Sequence, residues 1–557
     1  MEKKCWYKEM AVYQIWCRSF CDGNGDGIGD LWGVLGKLDY IKSLNVDAIW
    51  FSPLYPSPNA DYGYDISNYC DIHPDFGNLE VFKQVLDGAH ERGLRVFMDL
   101  VINHTSDEHP WFIESKKGAD NPYHDYYIWR RGSGKRPPNN WDSLFEGGAW
   151  EYDRDIDEWY LHIFSKKQPD LNMDNPKVRE EVKNIMRFWL DMGVDGFRED
   201  VITYISKVEG LPNAPVKLPA ATGMQYYADG PRVKEYLAEF KRDVLDFYDC
   251  FTVGEGSLMS TDTALGYIAE GSEQVLDMMI SFSHMQADCL ITDFIQRPFN
   301  LKKLKKSFST WQNGLYGRGW NCLYLENHDH PRIISRYGNE RYRVESGKML
   351  AACYLFLRGT PFVYQGQEIG MLNNYLPSLD DYKDIMVKNN YRIARKLGLP
   401  KKTVFAMAQK ATRDNARTPV QWSAEKYAGF SSSEPWFGVN PNYPEINVEN
   451  QQDDPDSILN FYRAILQFRR DNPVVIYGDY REHLAGSREL YVYERNYEGK
   501  KLLVICSFSE NLVRFDAPEG IVLSESDQVF GNYKSNFVIS NGFTAKPYEL
   551  RVYLFES

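Results

Sequence analysis

The sequence predicts an α/β protein: a parallel (β/α)8 TIM barrel, an inserted subdomain after strand 3 and a C-terminal antiparallel β domain. Short apolar runs alternate with amphipathic helical patterns along most of the chain, as in βαβ units. Several of these runs end in acidic or polar groups, and active sites form at the carboxyl ends of barrel strands. Beyond about residue 478 the pattern changes to short alternating runs, which are typical of antiparallel strands.

The individual elements follow from these patterns. Barrel strands are expected at 11–16, 48–53, 95–102, 196–201, 251–255, 274–282, 321–329 and 360–366. Helices are expected at 35–44, 79–92, 178–192, 233–247, 343–357 and 458–471. Residues 104–172 interrupt the alternation with Trp, Tyr, Pro, Asn and Gly, which predicts the insert. The resulting domains are a barrel of 1–103 and 173–478, an insert of 104–172 and a C-terminal β-sandwich of 479–557.

Composition restricts the class of protein. The 557 residues are 43% hydrophobic and 25% charged, as in ordinary soluble proteins. The net charge of −14 argues against nucleic acid or an anionic membrane as a partner. No apolar run is long enough to span a bilayer, and the first residues lack the apolar segment of a secretory signal. The 9 scattered cysteines fit reduced thiols, so a cytoplasmic protein is expected. A monomer or a weak homo-oligomer is expected as well.

The stretch 196–201 (Gly-Phe-Arg-Glu-Asp-Val) organises the chain. Side chains of a strand alternate between its two faces, so Arg198 and Asp200 share one face. A guanidinium beside a carboxylate favours the ionised form, which a carboxylate nucleophile needs. A purely structural ion pair is the alternative interpretation.

Two further acids end predicted strands. Glu255 follows the apolar run 251–253, and Asp329 follows the run 323–325. Hydrolysis of an acetal such as a glycosidic bond requires a carboxylate nucleophile and a carboxylic acid of raised pKa. Three carboxylates at one barrel face, with Arg198, with His104 at the end of the third strand and with His328 beside Asp329, therefore predict a glycoside-cleaving site.

The loop 22–30 has the spacing of a calcium site. Side-chain oxygens fall at loop positions 1, 3, 5 and 9, a backbone carbonyl at position 7 and glycine at position 6. Gly33 stands at position 12, where a calcium loop usually has Glu. A Gly/Asp-rich surface turn is the alternative, and calcium is favoured over magnesium. The predicted ligands are Asp22, Asn24, Asp26, Ile28 and Asp30.

Eight stretches in order carry a family resemblance: 22–33, 60–65, 99–104, 168–172, 196–201, 253–255, 327–329 and 414–419. Through them the chain resembles glycoside hydrolase family 13, the α-amylase superfamily, and within it the oligo-1,6-glucosidases and related α-glucosidases. The resemblance implies a retaining mechanism with Asp200 as nucleophile, Glu255 as acid and then base, and Asp329 as transition-state stabiliser.

The resemblance also implies which groups contact the sugar. Asp61 and Arg417 would close the pocket behind the non-reducing glucose, Tyr64 would stack beneath its ring, and Asp99 would support Arg198. Phe145 and Phe164 of the insert are candidate pocket walls. The complete set expected to bind a small oligosaccharide is Asp61, Tyr64, His104, Phe145, Phe164, Gln168, Arg198, Val201, His328 and Arg417.

Glu199 and His330 depart from the family pattern, and Val201 suggests the linkage. Val201, directly after the nucleophile, points to α-1,6 rather than α-1,4 bonds in these relatives. Glu199 stands where an apolar residue is usual and is expected to face the surrounding helices. A polar or cationic partner, or a protonated carboxyl, would be needed there. His330 replaces a common Gln near the pocket mouth and affects the leaving-group site.

Several rival functions share these motifs. Sucrose isomerases, α-1,4-acting α-glucosidases and trehalose-6-phosphate hydrolases remain open, and a phosphate pocket would require Lys or Arg near the leaving group. Transglycosylation differs from hydrolysis only in the acceptor that reaches the glucosyl-enzyme. A non-catalytic, carbohydrate-binding barrel is the alternative from another class, and loss of one carboxylate would be its signature.

Overall fold

The central unit is a closed barrel of parallel strands. The computed structural model describes residues 6–145, 147–216, 221–290, 294–534 and 540–556. The barrel strands are β1 (Val12–Ile15), β2 (Ala48–Phe51), β3 (Arg95–Leu100), β4 (Gly196–Glu199), β5 (Phe251–Gly256), β6 (Met278–Ser281), β7 (Cys322–Leu323) and β8 (Thr360–Tyr364). They pair in the order β7-β8-β1-β2-β3-β4-β5-β6. A parallel bridge between Met279 and Asn321 joins the two ends of the sheet. The predicted fold class is confirmed.

The strands are apolar on both faces because both faces are covered. Inward-facing side chains from successive strands, such as Trp50, Phe97 and Phe251, form one buried cluster inside the barrel. Outward-facing residues, such as Ile49 and Met98, join a larger cluster with the surrounding helices. The two layers fix the register of every strand, because a shift by one residue would exchange the faces.

Some predicted elements are shorter than expected. The helix expected at 35–44 is two helices, because Lys37 has non-helical dihedral angles between them. The sixth strand begins only at Met278, since Val275 and Leu276 donate their N–H groups to the carbonyl of Tyr267 at a helix end. The seventh strand has only two residues.

The helices lie outside the barrel and in its loops. None of the helices in the described ranges is long and apolar enough to cross a membrane. The helices are Trp6–Glu9, Leu31–Leu35, Leu38–Ser43, Leu79–Glu91, Pro110–Ser115, Pro176–Met192, Met224–Tyr227, Val233–Asp243, Thr261–Ile268, Leu301–Leu315, Ile333–Arg336, Arg343–Leu355, Ile385–Lys396, Lys401–Ala411, Val448–Gln452, Ile458–Asp471 and Pro473–Tyr477.

An insert between β3 and β4 forms one wall above the barrel. Its strands Trp129–Arg130, Trp150–Asp153 and Glu158–Leu161 make a small antiparallel sheet. An apolar cluster joins this sheet to Tyr204 and Tyr227, which belong to the loop after β4. The insert is therefore packed directly against the segment that follows Asp200.

The C-terminal region consists of two antiparallel sheets that share an apolar core. One sheet contains Arg481–His483, Leu490–Tyr497, Lys500–Ser507, Gln528–Gly531 and Leu550–Glu556. The other contains Val513–Asp516 and Gly542–Ala545. Tyr493 donates from the first sheet to the carbonyl of Ala352, so this region packs on the barrel helix Arg343–Leu355.

Candidate active site

Arg198 connects three carboxyl groups at the carboxyl end of the barrel. Its Nη1 donates to Oδ1 of Asp99 at 2.5 Å and to Oδ1 of Asp200 at 2.6 Å. Its Nη2 donates to Oε2 of Glu255 at 2.5 Å. The side chains of Arg198 and Asp200 therefore share one face of their strand, as alternation predicts. Asp99 is fully buried behind Arg198, so it supports the guanidinium rather than reaching the cavity.

Val201 ends β4 with a strained turn. Its backbone has φ 38° and ψ 39°, in the left-handed region that a β-branched residue rarely adopts. The turn aims its N–H at Oε2 of Glu255, which it reaches at 3.1 Å. Strain of this kind persists where the surrounding structure enforces it, typically at functional sites. Here it gives the Glu255 carboxyl a second fixed donor.

The charges around Arg198 do not balance. Burial raises the pKa of Asp200, and the Arg198 guanidinium acts to lower it. The neighbouring carboxyl groups of Glu255 and Asp99 raise it further, so that the pKa of Asp200 is raised overall. The pKa of Asp99 is raised by burial as well. One guanidinium among three buried carboxyl groups favours retention of a proton in the cluster. Such a cluster can supply one ionised and one protonated carboxyl side by side.

Asp329 lies in the opposite electrostatic environment. Its Oδ2 is 3.1 Å from Nε2 of His328, and its Oδ1 is 3.3 Å from Arg413 and 3.2 Å from Arg417. Burial acts to raise the pKa of Asp329, but His328 and the two arginines together hold it well below its usual value. Asp329 is therefore ionised at every ordinary pH.

Arg413 lines the cavity and was not predicted from the sequence. Its Nη2 is 3.3 Å from Asp61 and 3.0 Å from Asp384, and its guanidinium lies over the ring of Phe145 at 5.6 Å. It directly precedes the stretch 414–419, so extending that motif by one residue would have found it.

Arg417 occupies a position behind Asp329. It is 1% exposed, it donates to the carbonyl of His328 at 3.0 Å, and it lies over the ring of Trp16 at 4.5 Å. Among the described residues, the arginine that bonds to Asp61 is Arg413 rather than Arg417.

The insert, the loop after β2 and the end of β3 supply the wall beside Asp61. Nε2 of His104 lies 3.1 Å from the carbonyl of Tyr64 and 3.2 Å from Nε2 of Gln168. Burial lowers the pKa of His104 to about 4, so its ring is neutral near pH 7. Gln168 donates to Asp61 at 3.4 Å. The Tyr64 ring is parallel to that of His328, with centroids 5.3 Å apart.

A cavity of about 380 Å³ opens at this face and brings most of the predicted residues together. Arg198, His328 and Arg417 stand behind its surface. Side chains from loops without a sequence motif complete its mouth, notably Leu258 and Phe282, and His330 also lies there. The predicted residues on the surface are Asp61, Tyr64, His104, Phe145, Phe164, Gln168, Asp200, Val201, Glu255 and Asp329.

Comparison with known proteins identifies the family. A model of the α-amylase catalytic domain matches residues 14–478. The chain belongs to the α-amylase family of glycoside hydrolases. It is 48% identical to the oligo-1,6-glucosidase of Parageobacillus thermoglucosidasius, over 99% of both chains.

Solved structures of family members match throughout. The trehalose-6-phosphate hydrolase of Bacillus licheniformis is 42% identical with a TM-score of 0.93, over 99% of this chain and 100% of that one. The isomaltulose synthase of Klebsiella sp. LX3 is 38% identical with a TM-score of 0.95, over the same shares of the two chains.

Glu199 departs from the family pattern and lies on the outer face of the barrel. It is fully buried, and neither carboxyl oxygen has a hydrogen-bond partner among the described residues. The expected polar or cationic partner is therefore wrong. Burial, together with nearby Asp277, raises the pKa of Glu199 to about 8, so the carboxyl is protonated near pH 7.

The loop 22–30 of this α-amylase family chain folds through its own hydrogen bonds. Oδ1 of Asp22 accepts the N–H of Gly25 at 2.6 Å, and Oδ1 of Asp30 accepts the N–H of Gly33 at 2.7 Å. Within the described ranges, no group of three acidic, His or Cys side chains converges on a metal-sized space. The donor chemistry of side-chain oxygens with one backbone carbonyl nevertheless fits a hard cation.

Proposed function

We propose that the chain is a retaining, exo-acting α-glucosidase that removes glucose from the non-reducing end of isomaltose and isomalto-oligosaccharides by cleaving α-1,6 bonds. The observation that carries this proposal is the contact between Arg413 and Asp61, which both line the cavity and lie 3.3 Å apart. We infer that this pair blocks the space into which a longer chain would have to continue. A cavity blocked behind one sugar ring admits only a terminal residue.

The first step uses Asp200 and Glu255. In this proposal the proton retained in the cluster is on Glu255, so Asp200 attacks C1 of the terminal glucose as a carboxylate, and the glycosidic oxygen takes that proton as it leaves. Within the described ranges, the hydrogen bonds that Glu255 accepts reach Oε2, from Arg198 and from the N–H of Val201. Oε1 is therefore the oxygen left to hold the proton. The single guanidinium that contacts both carboxyl groups supports the close spacing of about 5–5.5 Å that a retaining pair needs.

The second step reverses the proton transfer. Glu255, now ionised, takes a proton from water, and the hydroxyl oxygen attacks C1 and releases Asp200. Positive charge develops on the sugar in both transition states. Asp329 supplies a fixed negative charge for it, because His328, Arg413 and Arg417 keep it ionised. Groups already oriented in the ground state need no reorganisation during the reaction.

Two facts favour the α-1,6 linkage. The relative that is 48% identical is an oligo-1,6-glucosidase. Val201 follows the nucleophile and lines the cavity, as in α-1,6-acting relatives.

The cavity also argues against a phosphorylated substrate. Arg413 is the one Lys or Arg among the described residues that line it, and it already contacts three carboxylates. A trehalose-6-phosphate hydrolase requires free cationic groups at the leaving-group side. Sucrose isomerisation remains the second candidate, because the isomaltulose synthase relative shares the fold over the same length.

Initial rates on isomaltose, maltose, sucrose and trehalose 6-phosphate test the proposal. Isomaltose is expected to be cleaved fastest, with α-glucose as the first product, and Asp200→Asn is expected to be inactive. Faster cleavage of another sugar would exclude the proposed preference for α-1,6 bonds. Full activity of Asp200→Asn would exclude Asp200 as the nucleophile. Isomaltulose from sucrose would favour the second candidate.

A structural calcium ion belongs to the same proposal. Asp22, Asn24, Asp26, Asp30 and the carbonyl of Ile28 would hold it, and none of these residues lines the cavity. When bound, the ion would offset two of the three negative charges of the acidic side chains of the loop. Ser431 donates to Asp22 and Ser433 donates to the carbonyl of Gly25, both at 2.5 Å. These bonds connect segment 430–436 to the loop, so an ion that stabilises the loop would also stabilise this segment.

A further inference from the structure

We propose that a helical hairpin beside the cavity is a docking site for bilayers that contain anionic phospholipid. The hairpin consists of the helices Ile385–Lys396 and Lys401–Ala411 and the turn between them. Residues 385–411 contain seven Lys or Arg residues and no Asp or Glu, in a chain whose net charge is −14. Because this segment contributes +7, the other 530 residues carry a net charge of −21. Such a local reversal of sign is typical of a surface that binds an anionic partner.

The tip of the hairpin projects into solvent. Of residues 395–403, Leu399 is half-buried and the other eight are exposed. The exposed residues include four cations: Arg395, Lys396, Lys401 and Lys402. In the part of the chain that the structure describes, no carboxylate lies within ion-pair distance of any of the four. Arg395 donates to the carbonyl of Leu399, which carries no charge. The positive charge of the tip is therefore not neutralised within the chain.

The stability of the two helices explains only half of these cations. Arg395 and Lys396 lie in the last turn of the first helix, where the helix dipole favours positive charge. Lys401 and Lys402 are the first two residues of the second helix, whose first turn contains no acidic residue. The dipole is positive at that end, so it disfavours both lysines. Residues that oppose local stability are typical of functional surfaces.

Exposed apolar side chains accompany the charges at the tip. Leu397 is 75% exposed and Ile393 is 52% exposed. They are four positions apart, so they share one face at the end of the first helix. Nucleic acid offers nothing to exposed aliphatic groups of this kind. A bilayer accepts both kinds of group, because aliphatic side chains enter the acyl boundary while cations contact the headgroups. The combination therefore favours an anionic bilayer as the occupant.

The negative charge of the whole chain does not prevent this contact. Exposed charges are screened over about 8 Å at physiological ionic strength. The base of the hairpin lies at the cavity, which Met386 and Ala411 line, and an apolar cluster that includes Phe294 and Val404 anchors it. The first helix has 12 residues and is therefore about 18 Å long. The tip is thus more than a screening length from the base, and a bilayer at the tip leaves the cavity accessible.

Co-sedimentation with vesicles tests the proposal on the full-length protein. Vesicles of phosphatidylcholine alone are compared with vesicles that also contain about 30% phosphatidylglycerol, at about 50 mM and about 300 mM NaCl. At the lower salt concentration we expect partitioning into the anionic vesicles to be at least about tenfold stronger than into the neutral ones. At the higher salt concentration this difference should largely disappear. Equal binding to the two kinds of vesicle, or binding to neither, would overturn the proposal.

A double variant links the binding to the hairpin. Lys401→Gln combined with Lys402→Gln is expected to weaken partitioning at least about tenfold, because each cation near an anionic surface contributes about fivefold. Lys116→Gln combined with Lys117→Gln is the matched control. It removes the same charge from adjacent exposed lysines of the insert that are already paired with carboxylates, so partitioning is expected to stay unchanged. Undiminished binding of the hairpin variant would contradict the proposal.

A second pair of variants tests the apolar contribution. Leu397→Asn is expected to weaken partitioning at least about threefold, because the side chain no longer gains from leaving water. Leu512→Asn changes a 69% exposed leucine of the C-terminal region and is expected to have no effect. The Tm of every variant shows whether it is folded. Unchanged partitioning of Leu397→Asn would exclude the bilayer as the occupant. Binding to immobilised polyglutamate but not to vesicles would assign the hairpin to an acidic protein instead.

Discussion

Nε2 of Gln14 lies 2.8 Å from Nδ1 of His328. The amide nitrogen can only donate, so Nδ1 accepts and the ring proton is on Nε2, which faces Asp329 at 3.1 Å. His328 is also enclosed by Trp16 and Tyr64, whose rings stack on it at 5.4 Å and 5.3 Å. Gln14 is 1% exposed and comes from β1, on the far side of the imidazole from the cavity. It therefore acts as a positioning residue that fixes the tautomer of His328.

Replacement of Gln14 by leucine is expected to lower kcat for isomaltose about tenfold or more. The loss of one buried donor leaves Nδ1 without its bond and allows the ring to rotate or change tautomer, at about 1–3 kcal/mol. Gln14→Glu should keep the imidazole doubly protonated to higher pH, since a carboxylate beside Nδ1 favours the charged ring. Nitrogen NMR of histidine-labelled protein and the pH profile of kcat measure both effects.

Gln312 offers the matched control for this prediction. It is a buried glutamine, 3% exposed, that bonds to the backbone of Arg358 and is not among the residues that line the cavity. Gln312→Leu is expected to lower thermal stability while kcat stays at the parent value. An unchanged kcat in Gln14→Leu would show that the contact with His328 has no role in positioning.

Glu199 is expected to make folding stability fall as the pH rises. Its pKa is about 8 in the folded protein against the ordinary value of 4.5. Between these values the unfolded chain has released the proton and the folded chain has kept it, so stability decreases by at most about 1.4 kcal/mol per pH unit. Below pH 4.5 this loss of folding stability is absent, and above about pH 8 it is complete.

Glu199→Met is therefore expected to raise the Tm at pH 8 by several degrees more than at pH 5. The variant removes the titrating group and fills the same buried space with an apolar side chain of similar length. Glu519→Met, at an exposed position, is expected to change the Tm equally at the two pH values. A Tm difference in Glu199→Met that does not vary with pH would mean that the carboxyl is ionised in the folded protein.

Arg413→Lys is expected to raise the KM for isomaltose about 10–100-fold. Lysine keeps the charge, but its ammonium lacks the planar, forked donors with which the guanidinium reaches Asp61, Asp329 and Asp384. Loss of charge-assisted hydrogen bonds of this kind costs about 1.5–3 kcal/mol each. Arg514→Lys changes a surface arginine paired with Asp516 and is expected to leave KM unchanged. A KM in Arg413→Lys equal to that of the parent would show that Arg413 does not contribute to substrate binding.

The contact between Arg198 and Asp200 in the candidate site was predictable because strand alternation determines it. Arg198 and Asp200 are two residues apart on a buried strand, so their contact at 2.6 Å follows from a period of two. The mouth was not predictable in this way. Leu258 and Phe282 come from irregular loops, where no periodicity relates sequence position to direction. Arg413 was missed because its three carboxylate partners are far apart in the sequence and meet only in the folded chain.

The burial of Glu199 shows what alternation alone leaves open. A period of two correctly predicts that Glu199 points away from the barrel interior. Whether a cation meets it there depends on helices that the strand pattern does not describe. Both carboxyl oxygens lack a partner among the described residues, so protonation takes the place of pairing.

Removal of calcium is expected to lower the Tm by several degrees, and added calcium should restore it. Without an ion, the repulsion among Asp22, Asp26 and Asp30 opposes the folded conformation of the loop. The loop also contacts Trp436, whose N–H donates to the carbonyl of Gly27 at 2.8 Å. Trp436 in turn contacts Tyr62, with ring centroids 5.5 Å apart, so its fluorescence should change with the loop. Asp26→Ala is expected to abolish the calcium dependence of the Tm, whereas Asp516→Ala, on the C-terminal surface, should preserve it. A Tm that is equal in chelator and in calcium would reduce the loop to a surface turn stabilised by its own hydrogen bonds.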